Sequence, residues 1–218
     1  MRRSTATLAT LLLASGAGLA AGSQAFAADR SGAALSSANP STSVRKAAAA
    51  PAATPRWVRA TLHSSSGTYV GRAWLRDTSA GTVVRVEAKW LKPGFHGLHV
   101  HAIGKCEKKS ADPTDATKVG AFLSAGGHVA IGNQVHPNHA GDLPALYAKK
   151  NTRASTMFTT DRFKVADLLD ANGSALMIHQ GADNYANVPK RYDPKGPDAE
   201  TKKTGDAGSR AACGVLKR

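Results

Sequence analysis

The stretch VRVEAKW, residues 84–90, decides the fold class, because apolar and charged residues alternate through it without a break. Successive side chains on a β-strand point to opposite faces, so this alternation predicts a strand with one buried face and one exposed face. Residues 57–62 and 69–75 predict two more strands, and the segments between these strands are rich in serine, glycine and aspartate, which favour turns. This part of the chain therefore predicts three strands connected by short turns.

Further strands are predicted downstream, at residues 95–103, 156–161, 163–165, 175–179 and 211–216. Two long irregular segments separate them, 104–155 and 180–210, and loops of that length in a compact domain usually carry function. No long helical pattern and no internal repeat is visible in the sequence. The chain is therefore predicted to be all-β, an antiparallel sandwich or barrel with two long functional loops.

Residues 1–27 have the features of a secretory signal. Two arginines follow the first methionine, a run of apolar and small residues comes next, and the run ends in Ala25-Phe26-Ala27. A membrane-spanning helix is the alternative, but glycines and a serine break the apolar run, which is shorter than the roughly 20 residues that a span requires. We therefore expect cleavage after Ala27, an exported protein and no stable membrane insertion afterwards.

Residues 28–56 consist mostly of alanine, serine, proline and threonine with a few charges. Such a composition cannot bury enough apolar surface to offset the entropy of ordering, so a disordered spacer is predicted there. Residues 57–218 remain as one domain, long enough to enclose a hydrophobic core. Whether the spacer tethers this domain to the cell surface stays open.

The chain carries a formal net charge of +14, from 29 basic and 15 acidic side chains, and +12 remains once Arg2 and Arg3 leave with the signal. Nucleic acid, a membrane surface or a small anion are the partners that such a charge suggests. The basic residues are scattered, with no basic helix and no aromatic stacking platform, so we expect no nucleic-acid partner. A cationic surface-binding module, with salt-sensitive binding to polyanions, stays open as an alternative.

The only two cysteines, Cys106 and Cys213, lie far apart in the chain. In an exported domain two cysteines most simply form one disulfide, and two free thiols are the alternative. Closing so long a loop stabilises a domain by roughly 4–5 kcal/mol if the effect is treated as lost chain entropy. We therefore expect a disulfide between these two residues.

The stretch HGLHVH, residues 96–101, places three histidines within six positions. On a strand, His99 and His101 share one face and Val100 points to the other, so the pair is a natural two-ligand clip for a metal. A surface pair of histidines is the alternative. His96 is three positions before His99, and strand parity places it on the opposite face.

More candidate ligands follow in a glycine-rich segment and at the end of a later strand. The segment AGGHVAIGNQVHPNHAGD, residues 125–142, contains three histidines and an aspartate, a donor set that suits tetrahedral zinc. The stretch ALMIHQGAD, residues 175–183, ends a predicted strand with His179 and places Asp183 four positions later. Seven of the eight histidines lie in these three segments, which favours a metal site.

Four separated motifs of the chain are HGLHVH, AGGH…H…HAGD, MIHQGAD and TGDAGSRAACGVL. They resemble the signature segments of the copper/zinc superoxide dismutases and follow one another in the same order as in that family. The resemblance extends across residues 57–218. A cupin, another barrel with His-x-His, would have a glutamate four or five positions later, whereas Glu107 is six positions on and the second cupin motif is missing. The resemblance implies an antiparallel Greek-key barrel of about eight strands.

The resemblance also implies two ligand sets that share one histidine. We name as the copper set His99, His101, His128 and His179. We name as the zinc set His128, His136, His139 and Asp142. His128 would bridge the two metals as an imidazolate and take part in catalysis.

Other positions receive supporting roles from the same resemblance. Asp183 would link a copper ligand, His99, to a zinc ligand, His136, and His96 would be a structural hydrogen-bonding residue near the metal loops. Arg210 would lie beside the copper as a catalytic residue that attracts and orients the superoxide anion. Cys106 and Cys213 would form the family's intrasubunit disulfide.

The resemblance implies a superoxide dismutase that converts superoxide to oxygen and hydrogen peroxide by copper redox cycling, with copper and zinc as cofactors. Its place would be extracytoplasmic antioxidant defence, in an extracellular, cell-wall-associated or periplasmic location, as a monomer or a homodimer. Two alternatives stay open. One is a copper-only dismutase, because only two residues separate His136 from His139. The other is a non-enzymatic copper- or zinc-binding protein of the same fold.

Overall fold

The computed structural model describes residues 56–218. The signal predicted at 1–27 and the spacer up to residue 55 lie outside the described residues, so these boundaries stay predictions. Within the described part of the chain, no helix has the length and apolar character needed to cross a membrane.

Eleven strands and one short helix make up the regular structure of the described residues. The strands are β1 (Val58–Ser64), β2 (Tyr69–Thr78), β3 (Gly81–Ala88), β4 (Gly94–His96), β5 (Leu98–His101), β6 (Ser110–Asp112), β7 (Asp115–Gly120), β8 (Leu146–Ala148), β9 (Ala154–Thr160), β10 (Ala175–His179) and β11 (Arg210–Val215). The helix is α1 (Thr201–Thr204), and single 3-10 turns cover Leu123–Ala125 and Val165–Leu168.

Nine of the strands form one antiparallel sheet in the order β4-β8-β9-β3-β2-β1-β11-β10-β5, and β6 and β7 form a separate hairpin. The two edge strands, β4 and β5, are consecutive in the chain with only Gly97 between them, so the sheet is a nearly closed barrel. Neighbours that are far apart in sequence, β3 with β9 and β1 with β11, are long connections of the Greek-key type. The all-β barrel predicted from the sequence is confirmed.

The stretch that predicted the fold class is the centre of β3. Val84, Val86 and Ala88 are buried, whereas Arg85 is exposed and Glu87 is partly exposed. Hydrogen bonds to β2 on one side and to β9 on the other keep this alternation in register. The inward side chains join the main core cluster inside the barrel, where truncating a large aliphatic residue costs about 2–5 kcal/mol.

Two predicted strands differ from the structure. The strand expected at 95–103 is divided at Gly97, because β4 pairs with β8 at one end of the sheet and β5 pairs with β10 at the other. The strand expected at 163–165 does not form: Phe163 is buried, but the chain then turns, and the backbone N–H of Lys164 donates to the Asp167 carboxylate at 2.7 Å. A local side-chain hydrogen bond there replaces pairing with another strand.

The long segment expected to be irregular, 104–155, contains three strands that the sequence did not indicate. The hairpin of β6 and β7 is mostly exposed and polar, so it lacks the apolar alternation that would have predicted it. Strand β8 is only three residues long. Pairing with neighbours, and not local sequence pattern, therefore makes these residues strands.

Both faces of β5 and β10 are buried, which is what positions the site. Leu98 and Val100 of β5 point into the barrel core, while His99 and His101 point outwards and are covered by loops. On β10 His179 is likewise buried. The functional loops therefore enclose a layer of histidines against the outside of the barrel wall.

Candidate metal centre

The copper set comes together on the outside of β5 and β10. His99 and His101 are two positions apart on β5, and His179 ends the neighbouring β10. His128 lies in the loop after β7 and forms an isolated backbone bridge with His101. One ring nitrogen from each of the four imidazoles lies within 4.8 Å of one ring nitrogen from every other.

Two of these imidazoles are oriented by backbone carbonyls. The Nδ1 of His101 lies 2.7 Å from the carbonyl oxygen of Gly126, and the Nδ1 of His179 lies 2.9 Å from that of Gly208. A carbonyl only accepts, so each Nδ1 donates a proton and each Nε2 keeps its lone pair. The two Nε2 atoms are 3.4 Å apart and face each other across the cluster.

His99 has the opposite orientation. Its Nε2 lies 2.7 Å from Oδ2 of Asp183, and its Nδ1 is fully buried with no hydrogen-bond partner among the described residues. A buried ring nitrogen without a partner is costly unless it is a ligand, because burial removes it from water. Four imidazoles with converging lone pairs fit a copper ion, which accepts nitrogen ligands in both oxidation states.

The zinc set surrounds a single carboxylate. The Nδ1 of His128 lies 2.6 Å from Oδ1 of Asp142, and the Nδ1 atoms of His136 and His139 each lie 3.1 Å from its Oδ2. The His136 Nδ1 is buried and has no directed hydrogen bond. The second group of ligand atoms within 4.8 Å contains His128, His136 and Asp142 with His99, whereas His139 is held through Asp142. Three imidazole nitrogens and one carboxylate fit tetrahedral zinc.

A solvent-accessible cavity of about 640 Å³ lies over the copper set. His101, His128 and His179 form part of its wall, together with Arg210. The Arg210 guanidinium donates to the carbonyl oxygens of Phe122 and Gly126, the latter at 2.6 Å. The site thus combines a cluster of nitrogens that could hold a metal ion, a fixed cation and a cavity large enough for a small anion.

Comparison with known proteins agrees with this geometry. The family described as copper/zinc superoxide dismutase (SODC) matches residues 69–216. A protein of Mycolicibacterium paratuberculosis named Superoxide dismutase (Cu-Zn) is 42% identical over 178 residues, covering 78% of each chain. The chain belongs to the copper/zinc superoxide dismutase family.

More distant relatives and solved structures extend the comparison. An Escherichia coli K12 protein with the same name is 34% identical over 157 residues, covering 69% of this chain and 80% of that protein. The structure titled "Cu/Zn superoxide dismutase from Brucella abortus" matches with a TM-score of 0.59 and 27% identity over 74% of this chain and all of that one. A structure titled as a SOD-like protein from Bacillus subtilis matches with a TM-score of 0.54, 26% identity and 73% and 97% coverage.

Asp183 joins the copper set to the zinc set. Its Oδ2 accepts from His99 and its Oδ1 lies 2.8 Å from the Nε2 of His136. The backbone N–H of Tyr185 donates to the same Oδ1 at 2.7 Å, which holds the carboxylate in place. One aspartate therefore orients an imidazole of the copper set and an imidazole of the zinc set.

His96 lies next to the metal cluster without facing it. Its Nδ1 is 2.7 Å from the carbonyl oxygen of His179, and its Nε2 is 2.8 Å from that of Lys92. Both ring nitrogens are thus occupied by backbone carbonyls. The residue connects β4 to the end of β10 and does not offer a ligand atom.

In the metal-free protein, burial determines the charge of the copper set. Burial, with the nearby charge of His99, lowers the pKa of His179 to about 3. Burial also lowers the pKa of His128 to about 4, although its hydrogen bond to Asp142 opposes the shift, and the pKa of His101 falls well below its usual value for the same main reason. These imidazoles are neutral at pH 7, so their lone pairs are free to bind a metal.

In the zinc set, contacts with carboxylates have a larger effect on the pKa of His136 than burial has. Burial alone would lower the pKa of His136, but contacts with Asp142 and Asp183 outweigh burial and raise that pKa to about 9. Burial would raise the pKa values of the two carboxyl groups, but their imidazole partners hold both well below the usual range. Zinc binding at His136 would therefore release a proton.

Two functional residues were missed at the sequence level. Arg162, after β9, donates through Nη1 to the carbonyl oxygens of Pro137 at 2.7 Å and His139 at 3.2 Å. It therefore holds the loop of residues 136–142, which we call the zinc loop. Gly205 has a φ of 61°, and a Cβ there would lie 2.1 Å from Oδ1 of Asp183. The motif TGDAGS contains this glycine, but no local signal connects Arg162 to the zinc loop.

The structure has a disulfide between Cys106 and Cys213, whose Cα atoms are 5.6 Å apart. Cys213 is on β11, three positions after Arg210, so the disulfide connects the strand that carries Arg210 to the loop after β5. Phe122, whose carbonyl oxygen accepts from Arg210, packs in the same small hydrophobic cluster. The disulfide therefore supports the wall of the cavity over the copper set.

Proposed function

We propose that this chain is a superoxide dismutase whose catalytic centre is the copper set together with Arg210. In the reaction, two superoxide anions and two protons give one molecule of oxygen and one of hydrogen peroxide. The observation that carries the proposal is the convergence of four imidazoles, each with a free nitrogen, three of which lie in the wall of the cavity that Arg210 also lines.

Bound copper would supply the electron exchange, because it is stable in two oxidation states with nitrogen ligands. His99, His101 and His179 would hold it from β5 and β10, each oriented by a hydrogen bond on its other ring nitrogen. These second contacts prevent the rings from rotating when the charge in the site changes.

His128 is the residue that would move a proton. Its Nδ1 is directed at Asp142 in the zinc set, and its Nε2 is left for the copper set and the cavity. Because Nδ1 is held on the zinc side, Nε2 can take up a proton and deliver it to the reduced product without the ring changing position. One of the two protons that hydrogen peroxide needs would pass through this atom.

Arg210 would bind and orient the anion. Burial lowers the pKa of this guanidinium to about 10, so it stays protonated at neutral pH, and its hydrogen bonds to two carbonyls fix its direction. Lys118 and Lys203 also line the cavity, together with Asp112, Glu200 and Asp206, so Arg210 is the fixed cation beside the copper set. A fixed cation at the site raises the association rate of a small anion, and this gain falls as salt screens it.

The zinc set would keep the His128 imidazole in place and tune its basicity. His128, His136, His139 and Asp142 all belong to the segment between β7 and β8, and Asp183 connects that segment to the copper set. A copper-only dismutase is the alternative for this part of the site. Three imidazole nitrogens around the Asp142 carboxylate, four donors in all, favour the two-metal form.

Export is a further part of the proposal, and it is supported by the signal-like residues 1–27 and by a disulfide that suits an oxidising compartment. The location would be extracellular, cell-wall-associated or periplasmic. A homodimer also fits the resemblance, and light scattering of the purified protein measures it.

The test is to purify the mature protein, measure its copper and zinc content, and assay superoxide dismutation. We expect one copper and one zinc for each chain, and activity that disappears with a copper chelator and returns with copper. Stoichiometric copper without activity, or no copper binding at all, would contradict the proposal.

A non-enzymatic copper-binding protein of the same fold is the second candidate, and the similar structure titled as a SOD-like protein from Bacillus subtilis is the reason to consider it. Here, however, all four members of the copper set converge and Arg210 lines the same cavity. The activity assay at full copper occupancy separates the two candidates.

A further inference from the structure

A second cavity is lined by the disulfide and by the outward faces of β1 and β11. Arg59, Thr61 and His63 alternate with buried residues on β1, so all three point away from the core. Lys217, just after β11, pairs with Arg59, and His63 pairs with Cys213. We call this cavity the β1–β11 groove.

The groove is enclosed at one end by loops. Ser64 at the end of β1 and Gly67 in the turn after it line this end. Lys108 extends over that turn, with its Nζ 3.5 Å from the carbonyl oxygen of Ser66. The disulfide forms part of the wall. The enclosed volume is about 590 Å³, and none of its lining residues lines the cavity over the copper set.

The groove has cations but no carboxylate side chains. Its charged lining residues are Arg59, Lys108, Lys217 and Arg218, and the His63 imidazole also lines it. Within residues 56–218, the ion pairs formed by lysine or arginine are Arg85–Glu87 and Lys118–Asp115, so the four cations of the groove have no acidic partner there.

Arg59 and Lys217 add a more specific observation. Their backbones exchange two hydrogen bonds, of 2.8 and 2.9 Å, so they are direct cross-strand neighbours. Like charges directly opposite each other in a sheet destabilise it. A bound anion between the two side chains would remove that repulsion and make both charges favourable.

The unpaired cations are spread along the groove. Arg59 and Lys217 lie near the start of β1, where Trp74 on β2 is opposite Arg59. Lys108 lies over the turn at the other end of β1. With a rise of about 3.3 Å per residue, the strand from Arg59 to Ser64 spans roughly 16 Å, which exceeds the size of one phosphate. An extended ligand with repeated anionic groups fits these cations better than a single ion.

The nearby aromatic residue argues against nucleic acid as that ligand. The Arg85 guanidinium lies 5.3 Å from the centre of the Trp74 ring, so this face of the ring is covered by a side chain and is not a free platform for a base. A hydroxyl group is available instead: Thr61 lines the groove and points away from the core. A hydroxyl and several cations together suit phosphate oxygens.

We propose that the β1–β11 groove binds a polymer of repeated phosphate groups without bases, at a site separate from the site of dismutation. The proposal does not depend on the metal centre, since the groove shares no residue with it. Such a site would hold the protein next to a phosphate-rich polymer while the cavity over the copper set stays open.

The test measures binding of an inorganic polyphosphate chain to the metal-loaded mature protein by calorimetry, at several salt concentrations. The double variant Arg59→Gln, Lys217→Gln should bind about tenfold more weakly, with a salt slope smaller by about two, because two phosphate contacts are lost. The matched control is Lys149→Gln, Lys150→Gln, an equal charge change in an exposed turn, and it should bind nearly as the wild type does. Dismutase activity should be unchanged in both double variants.

Three further binding measurements test which kind of ligand the groove prefers and whether the metals matter. Inorganic phosphate at the same phosphate concentration should bind far more weakly than the chain, and single-stranded DNA should bind no more tightly than the chain. Copper and zinc removal should leave polyphosphate binding unchanged.

The proposal is overturned if the groove variant and the control variant lose equal affinity, if inorganic phosphate binds as tightly as the chain, or if DNA is preferred. The single variant Lys108→Gln keeps the test decisive even if the double variant does not fold properly. It changes a loop side chain only and should weaken binding by several fold; unchanged binding in this properly folded variant would also contradict the proposal.

Discussion

The copper set and the zinc set lie side by side, yet different kinds of structure hold them. Three copper-set histidines are on β5 and β10, whose backbone hydrogen bonds fix where each side chain points. The zinc set lies on the segment between β7 and β8, where single side-chain contacts from Arg162 and Asp183 hold the loop. Strand register makes one half of the site robust, whereas the other half depends on a few specific contacts.

The largest expected effect comes from breaking the copper half. His101→Ala should abolish copper binding and reduce dismutase activity to background, because a ligand is lost from a rigid strand. Zinc content should change little, since His101 contacts none of the zinc set except through His128. Metal analysis with the activity assay checks both parts, and near-normal copper occupancy would contradict the copper set.

Removing a member of the zinc set should reduce the activity less than removing a member of the copper set. His139→Ala should lower zinc occupancy first and leave part of the activity, because the copper set remains complete. The measurement is zinc content by mass spectrometry of metals, with activity after copper saturation. Unchanged zinc occupancy in this variant would show that the zinc set is assigned wrongly.

Asp183 tests whether the two halves are connected. Asp183→Asn removes the charge that orients His99 and His136 at 2.7 and 2.8 Å, and we expect affinities for both metals to fall about 10–100-fold. Competition with chelators of known affinity measures this. A loss confined to one metal would mean that the aspartate serves only that half.

Arg162 tests the claim that single contacts hold the zinc loop. Arg162→Gln removes the charged donor to the carbonyls of Pro137 and His139, and zinc affinity should fall about tenfold while copper affinity stays constant. The control is Arg153→Gln, an exposed arginine before β9. Equal effects from the two variants would show that the hydrogen bonds of Arg162 do not determine the affinity for zinc.

The smallest effect concerns the cavity wall on the copper side. Asp112 lines the cavity; burial would raise the pKa of its carboxyl, but hydrogen bonds from Thr114 and the charges of Lys203 and Arg210 lower it, so the group is ionised at neutral pH. Asp112→Asn removes a charge that repels superoxide, and the rate at low salt should rise about twofold and return to the wild-type rate at high salt.

The matched control for that charge change is Asp170→Asn, on the surface away from the cavity lining. Steady-state rates at two ionic strengths compare the variants. A decrease with Asp112→Asn, or an equal increase with Asp170→Asn, would contradict local steering.

Much of the fold was predictable because it depends on local alternation. The pattern at 84–90 and its neighbours indicated strands with the correct faces, and the same parity argument placed His99 and His101 together. Where alternation failed as a signal, so did the prediction: the hairpin of β6 and β7 is exposed on both sides, and Phe163 is buried without belonging to a strand.

By itself, the sequence determined the all-β class, the ordered set of candidate ligands and the two cysteines available for a disulfide, since these follow from side-chain period and residue type. Only the tertiary structure decided which nitrogen of each histidine is free, that Arg162 holds the zinc loop, and that Arg59 and Lys217 face each other across β1 and β11. Each of these depends on atoms brought together from distant parts of the chain, and no local pattern records such a contact.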